Sequence, residues 1–328
     1  RPDAGEITLR GRVVASVPRR VFLAPNQRNL GMVFQSYALW PHMTVYENVA
    51  YPLELRGMKR ALVGDKVARV LDLVGLSGME TRPGTLLRQQ VPTRSGPPDT
   101  TRPGSVEADT VAHCDDSTEG DYVNSLTFTE LFSGWTENRA VWNKSAAAVL
   151  QQLKELETQV PYEMKNFHTD NGGEFLNWAL HRHLTGRSMK MPWTRSRAYR
   201  KNDNAHCEQK NWTHVRQLFG HERFGHPELV ALMNDLYAKE WSQFTNHFKP
   251  TFKLLKREKK DGKTKRVYEP KPQTPYQRLL ASPDIPEATK AKLRAQHATL
   301  DPFESKKYIE IKLKKFFTAL GNLNREAT

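Results

Sequence analysis

Val106-Glu107-Ala108-Asp109-Thr110-Val111-Ala112-His113 is the stretch on which the fold turns. It reads as a β-strand with a carboxylate, Asp109, inside it. Glu107 is two residues away and shares Asp109's strand face. Two later segments repeat the theme. Phe167-His-Thr-Asp170-Asn-Gly-Gly-Glu-Phe175 reads as a strand that ends at an acid, and Lys201-Asn-Asp-Asn-Ala-His-Cys-Glu208-Gln-Lys-Asn-Trp212 places a third acid on a helix.

Working outward gives an element order. Strands are expected at 106–113, 122–131 and 138–142, a helix at 144–160, and a strand at 164–170. A helix at 174–184, a strand at 189–193 and a helix from about Asn204 follow. Such an order is α/β with one main sheet. Lys253–Val267 alternates charge around Asp261-Gly262, a hairpin signal. Residues 286–320 read as helical with a basic face. Residues 91–104, VPTRSGPPDTTRPG, are rich in proline and glycine without periodic apolar residues, and read as a linker or junction. Before it, 6–14 and 31–35 look like short strands. Val63, Val67, Val70, Leu71 and Val74 mark an amphipathic helix over 62–74.

The three acids suggest a chemistry. Phosphodiester cleavage and strand transfer need an activated oxygen nucleophile, in-line geometry and cations on the developing charge. Two metal ions about 4 Å apart, held by carboxylates from different elements, supply this. Mg²⁺ prefers hard oxygen ligands and keeps several waters, so few protein ligands suffice. Asp109, Asp170 and Glu208 fit that need as catalytic and metal-binding residues. Trp212, Val215 and Phe219 are spaced as a buried helical stripe. Glu208, four residues before Trp212, is expected to point inward with them, where an unpaired carboxylate is costly. The alternative is that Glu208 only complements the helix dipole, with Asp203 or Asn204 as cap. Glu107 is the main competitor of Asp109 for the first ligand position but reads rather as a strand-end surface acid, and Asp115, Asp116 and Glu174 read as loop or first-turn acids.

Charge points to a polyanionic partner. The chain has 328 residues and 50 Lys+Arg against 36 Asp+Glu, a net charge of +14. Displaced counterions would supply binding free energy on DNA. Trp193, Arg195, Arg197, Tyr199, Arg200 and Lys201, then Lys210 and Arg216, form a basic and aromatic run around the third acid. Such residues contact phosphates and stack on bases. Lys256, Lys260, Lys263 and Lys265 on the hairpin are further expected DNA contacts. Two cysteines, Cys114 and Cys207, show no CxxC pattern, which argues for a reducing compartment. No stretch of about 18 apolar residues exists, so no membrane span is expected. No signal peptide is visible, and a cytoplasmic location is expected. The chain begins with Arg1 rather than Met, consistent with a start inside a longer reading frame.

The motifs PGSVEADTVAH, LTFTELFSGWTENRAVWNK, HTDNGGEF, TRSRAYRKNDNAHCEQKNWTHVRQL and TPYQRLLASPDIP carry a resemblance over residues 103–303. They look like the integrase catalytic core of bacterial insertion-sequence DDE transposases. The resemblance implies an RNase H-like core, a mixed five-stranded sheet with flanking helices. It implies Asp109, Asp170 and Glu208 as ligands of two Mg²⁺ or Mn²⁺ ions. The 38-position separation of Asp170 and Glu208 is close to the family's. DNA as partner and a homo-oligomer on DNA are implied as well. Cys114-Asp115-Asp116-Ser117 departs from relatives, which tend to have glycine after the cysteine. A helix-turn-helix region that recognises element ends is not seen in this sequence.

PDAGEITLRGR, RNLGMVFQSYALWPHMTVYENVAYPLELRGM and VARVLDLVGLSGM carry a different resemblance, over residues 1–84. They look like ATP-binding subunits of sugar-import ABC transporters. Gln35 falls at the glutamine that in those proteins links the ATP site to the membrane partner, and reads as a relic. No GxxxxGK[ST] phosphate loop occurs, so neither ATP nor an ABC permease partner is expected. The expected organisation is a truncated ABC-ATPase-like fragment over 1–90 and a junction over 91–104. A catalytic core over 105–250 and a basic β-hairpin and helical region over 251–328 follow.

Overall fold

The structure, a computed structural model, describes residues 4–24, 27–28, 43–73, 85–187, 190–197, 201–260 and 263–326. Gln35, the strand expected at 31–35, Tyr199 and Arg200 lie outside the described residues. So do the side chains of Lys201, Lys260 and Lys263. The chain divides into two compact units, Arg1–Pro83 and Gly84–Thr328.

In the first unit, β1 (Glu6–Leu9), β2 (Arg12–Ser16) and β3 (Val21–Phe22) form an antiparallel sheet. The single strand expected over 6–14 is two strands. Arg10 and Gly11 both have positive φ, 50° and 79°, and close a tight hairpin turn. Helix α1 (Val45–Glu54) starts with Thr44, whose hydroxyl accepts from Glu47 N while Glu47 reaches back, a capping box. Helix α2 (Arg60–Leu73) is the one expected from its valine spacing. Ala50, Val63, Val67 and Leu71 make a small buried cluster between the two helices.

The second unit begins with α3 (Thr85–Gln90). Strands β4 (Ser105–Ala112), β5 (Val123–Glu130) and β6 (Thr136–Trp142), helix α4 (Ala146–Gln159) and strand β7 (Asn166–Thr169) follow. After α5 (Trp178–Thr185), strand β8 (Trp193–Arg195) completes a five-stranded sheet of order β6-β5-β4-β7-β8. The strand expected at 189–193 thus lies further on. The pairs β4–β5 and β5–β6 are antiparallel, while β4–β7 and β7–β8 are parallel. This mixed five-stranded sheet with flanking helices is the α/β architecture expected from the motifs. The segment at 91–104 is irregular but anchored. Val91 is buried, Thr93 bridges to Arg195, and Arg94 pairs with Glu107 at 2.7 Å.

Alternation in β4 sorts its side chains. Val106 and Ala108 join a core with Leu126, Phe128, Leu153, Phe167 and Leu180 on one face. Glu107 and Asp109 therefore face the other side. There the chain runs through α6 (Ala205–Lys210), a π-helical turn (Asn211–Arg216) and α7 (Gln217–Phe219). Helices α8 (Leu229–Leu236) and α9 (Ser242–Phe248) come next. Strands β9 (Leu254–Lys260) and β10 (Lys263–Tyr268) pair antiparallel as the expected hairpin. Helices α10 (Pro275–Ala281), α11 (Glu287–Ala298) and α12 (Pro302–Glu326) end the chain. Ile309, Phe316 and Leu320 of α12 complete a second core with Phe219, Phe224, Met233 and Tyr237. Phe316 lies 4.9 Å from both Phe219 and Phe224, ring to ring. Among the described residues, no helix is long and apolar enough to cross a membrane.

Candidate active site

Strand register brings the first two acids side by side. The parallel ladder pairs Ser105 with Asn166 and ends with Ala108 beside Thr169. Asp109 and Asp170 are the next residues on each chain. After Asp170 the backbone turns, and the Asp170 carboxylate accepts from Gly172 N at 3.0 Å.

The third acid arrives on a helix tacked along β4. Asn204 Nδ2 donates to Ala108 O at 3.2 Å, and Cys207 N donates to Glu107 Oε2 at 3.4 Å. Asn211 Nδ2 donates to Asp109 Oδ2 at 2.8 Å, and Arg216 donates to Ala112 O at 2.9 Å. The contacts step from residue 107 to 112 on the strand as they step from 207 to 216 on the helix. Glu208 is carried to the same edge, and its charge acts on Asp109.

Two expectations about this helix are corrected. Trp212 is not on a buried stripe; it is 55% exposed. The π-helical turn from Asn211 to Arg216 carries more residues per turn than an α-helix, so it rotates the pattern. The buried positions are Asn204, Cys207, His214, Val215 and Phe219. Glu208 is accordingly exposed rather than turned inward.

The acids beside the trio also differ from their sequence reading. Glu107 is no surface acid: it is 0% exposed. Burial opposes its ionisation, but His206 and Arg94 outweigh burial and hold its pKa below the ordinary value. It anchors the start of α6 rather than facing solvent. Glu174 is no free loop acid either; it is buried and accepts from Thr110 Oγ1 at 2.9 Å.

Electrostatics mark the edge. Burial pushes the Asp109 pKa up to about 7, and the charges of Asp170 and Glu208 push the same way, against bonds from Thr110 N and Asn211. Asp170 is also raised, by burial first and by Glu174, against the Gly172 amide and Lys144. The donor set fits a hard divalent cation, since a cation beside Asp109 would relieve both desolvation and like-charge crowding. Asn211 Oδ1 is a further buried oxygen with no hydrogen-bond partner. Among the described residues, however, no three His, Cys, Asp or Glu side chains lie together closely enough to hold a metal ion. The carboxylates are gathered on one edge but not closed into a ligand cage.

The basic residues separate into kinds. Arg195 donates to Val91 O at 2.9 Å, Asn171 Oδ1 at 3.1 Å and Arg88 O at 3.3 Å. Arg216 donates to Ala112 O and Gly220 O. These guanidinium groups hold the fold together. Arg197 is exposed and pairs with Asp203 at 2.7 Å. Lys210 is not on an open basic surface. Burial, then Lys249 and Arg278, lower its pKa to about 8. Lys256 and Lys265 are exposed on the hairpin. Sequence reading missed Asn211 and Lys144; the three-residue offset of Asn211 from Glu208 was the available signal.

Comparison with known proteins sets these features in context. No protein-family profile matches the chain. An uncharacterized protein of Sinorhizobium fredii, y4rM, is 32% identical over 214 residues, 63% of this chain and 59% of that protein. A shorter match, 43% identical over 81 residues, joins 25% of this chain to 22% of the trehalose/maltose import ATP-binding protein MalK of Thermococcus litoralis. The sulfate/thiosulfate import ATP-binding protein CysA of Mycobacterium bovis matches at 44% over 81 residues, 25% of this chain and 21% of that protein. The chain thus spans about three fifths of one curated relative and about a fifth of the others. Among solved structures, the HTLV-2 integrase catalytic core domain in complex with magnesium is similar with a TM-score of 0.33 and 14% identity. That similarity covers 50% of this chain and 95% of that one. The simian T-cell lymphotropic virus intasome in complex with PP2A regulatory subunit B56 gamma gives 0.37 and 13%, over 49% and 55% of the two chains.

Proposed function

We propose that the second unit is a DDE-type DNA transposase or integrase of the bacterial insertion-sequence kind. It would catalyse metal-dependent cleavage of a phosphodiester and transfer of the resulting 3′-OH to target DNA. The observation that carries this is the parallel register that sets Asp109 beside Asp170, with the helix bearing Glu208 tied to the same strand through Asn204 and Asn211. Burial and the charges of Asp170 and Glu208 accordingly push the Asp109 carboxyl up to about 7. An acid just past the end of β7 and another on α6 both act on Asp109 within β4, and strongly perturbed carboxylates cluster where chemistry is done.

Asp109 and Asp170 would hold divalent cations, Mg²⁺ or Mn²⁺, with Glu208 completing the set. Such ions, when bound, supply charge stabilisation at the attacking and leaving oxygens. The chain's own residues do the rest. Asn211 Nδ2 holds Asp109 Oδ2 and the Thr110 amide holds Oδ1, so the carboxylate is oriented from both sides. Gly172 N orients Asp170. Glu107 and Asn204 lock the helix that carries Glu208. DNA is the proposed partner, through Arg197, Lys256 and Lys265, with Tyr199, Arg200, Lys201, Lys260 and Lys263 as further contacts. Assembly of copies on DNA and a cytoplasmic location belong to the same reading.

A second reading, a basic DNA-binding remnant without turnover, is favoured by the open arrangement of the carboxylates. Nicking of a generic duplex with Mg²⁺ or Mn²⁺ separates the two. Wild type should nick. Asp170→Asn should lose several kcal/mol of transition-state stabilisation, at least about 10³-fold in rate. Duplex binding with no metal-dependent nicking in wild type would establish the remnant instead.

A further inference from the structure

The turn joining β6 to α4 runs against backbone preference. Asn143 and Lys144 both have positive φ, 54° and 35°. Neither is glycine, and this region is disfavoured for L-residues, asparagine being among the exceptions. Asn143 is doubly tied to Tyr122, donating to its carbonyl at 3.1 Å and accepting from its N–H at 3.1 Å. Lys144 has no such local tie. Backbone strain persists where the surroundings over-determine it, and it clusters at functional sites.

What the turn achieves is the placement of an ammonium group. Lys144 Nζ lies 3.4 Å from Glu174 Oε1, with side-chain exposure of 43% for the lysine and 5% for the glutamate. The Glu174 carboxylate is fixed in turn. It accepts from the hydroxyl of Thr110, next to Asp109, and it lies against Gly172, where an added Cβ would collide with it. One side of the ammonium is therefore tethered beside the Asp170–Gly172 turn, and the other side is open. A single ion pair uses one of its three N–H donors. A half-exposed pair of this kind contributes little stability, so stability alone does not account for a strained turn. Lys144 also immediately precedes Ser145, the N-cap of the 14-residue α4, whose positive end adds to the field there.

We propose that Lys144 is a phosphate-contacting residue of this site, with Glu174 and Thr110 as positioning residues that aim it. Its free donors take a non-bridging oxygen of a DNA phosphodiester lying beside Asp109 and Asp170. The inference deepens the polynucleotidyl-transfer reading and rests on it for the identity of the ligand.

The test is binding of the full chain to a short labelled duplex in EDTA, read by fluorescence anisotropy across a salt series. Lys144→Asn is the variant, because asparagine tolerates this backbone region. It should reduce the slope of log K against log salt by about 0.9, the loss of one phosphate contact. Lys144→Arg should restore the slope. Lys154→Asn, which removes an exposed lysine further along α4, should leave it unchanged. An unchanged slope and affinity in Lys144→Asn, at wild-type melting temperature, overturns the proposal. So does an equal loss in Lys154→Asn, which would make both lysines mere contributors to net charge. Inorganic phosphate at fixed ionic strength supplies the other arm. If it raises the melting temperature of wild type but not of Lys144→Asn while duplex binding is the same in both, the site takes a free anion and the DNA assignment falls. No metal or turnover enters the measurement, so its failure is distinguishable from failure of the cleavage reading, which the carboxylate variants test.

Discussion

Among the described residues, the first unit buries one small apolar cluster, Ala50, Val63, Val67 and Leu71. The second buries two large ones, on opposite faces of a five-stranded sheet. Yet the short segment matches transporter ATP-binding subunits at 43% identity, higher than the 32% of the longer match to y4rM. Identity over 81 residues is a likeness of that stretch and supplies no chemical site by itself. A chemical site needs groups from distant parts of a chain, held by a core that closes around them. The second unit meets that condition: residues 107–111, 170–174 and 204–211 are joined by direct hydrogen bonds or by charge. The sequence of the first carries no GxxxxGK[ST] pattern, the loop whose backbone N–H groups cradle phosphates in ATP-binding proteins.

The largest effect expected from this contrast is on stability. Phe219→Ala empties the centre of an aromatic cluster of Phe224, Tyr237 and Phe316, and should cost about 3–5 kcal/mol. Val67→Ala in the small cluster should cost about 2 kcal/mol. Denaturant melts of both variants check the order. Equal losses would mean that the second unit's core is no better packed than the first's.

A smaller effect is expected from pH. The Asp109 carboxyl is raised to about 7 by burial and by its acidic neighbours, above the ordinary value of 3.8. The folded state therefore holds this proton more tightly than the unfolded state does. The associated stability is complete below about pH 3.8 and is lost as pH rises through about 7. The melting temperature of Asp109→Asn should fall less than that of wild type between pH 5 and pH 8. Mg²⁺ at pH 8 should raise the wild-type value and leave Asp109→Asn unmoved. Parallel curves for the two proteins would remove Asp109 from any perturbed site.

The smallest expected effect is none. ATP titrated into the full chain, followed by calorimetry, should give no heat of binding in the micromolar range, because the residues that would hold the phosphates are absent from the sequence. A measured micromolar affinity would break the contrast between the units at its base.

Much of the second unit was legible from local pattern. The strands around Asp109 and Asp170, the hairpin at 254–268 and the C-terminal helices follow from apolar periodicity and turn residues. The strand expected at 189–193 was displaced to Trp193–Arg195. Its short extended run is selected by pairing with β7 through Phe167, His168 and Thr169, and such pairing leaves little local trace. Glu107 and Glu174 were misplaced for a related reason. An acid beside a strand end reads as solvated until its partners are known. Arg94 and Cys207 N for the one, and Thr110 and Lys144 for the other, come from remote segments.

The sequence by itself determined the positions of Asp109, Asp170 and Glu208, the basic balance of the chain and the absence of a phosphate loop, since each is a matter of residue type and spacing. Tertiary structure alone decided which way Glu208 and Trp212 face. The reason is the π-helical turn at 211–216, which shifts the phase of the helix against any α-helical count. Tertiary structure also decided that Lys144 reaches the acidic edge, because Lys144 takes a positive-φ conformation that lysine rarely adopts and Glu174 waits on a separate segment to meet the ammonium. Burial and pairing are sums over residues distant in sequence, and only the folded chain performs that sum.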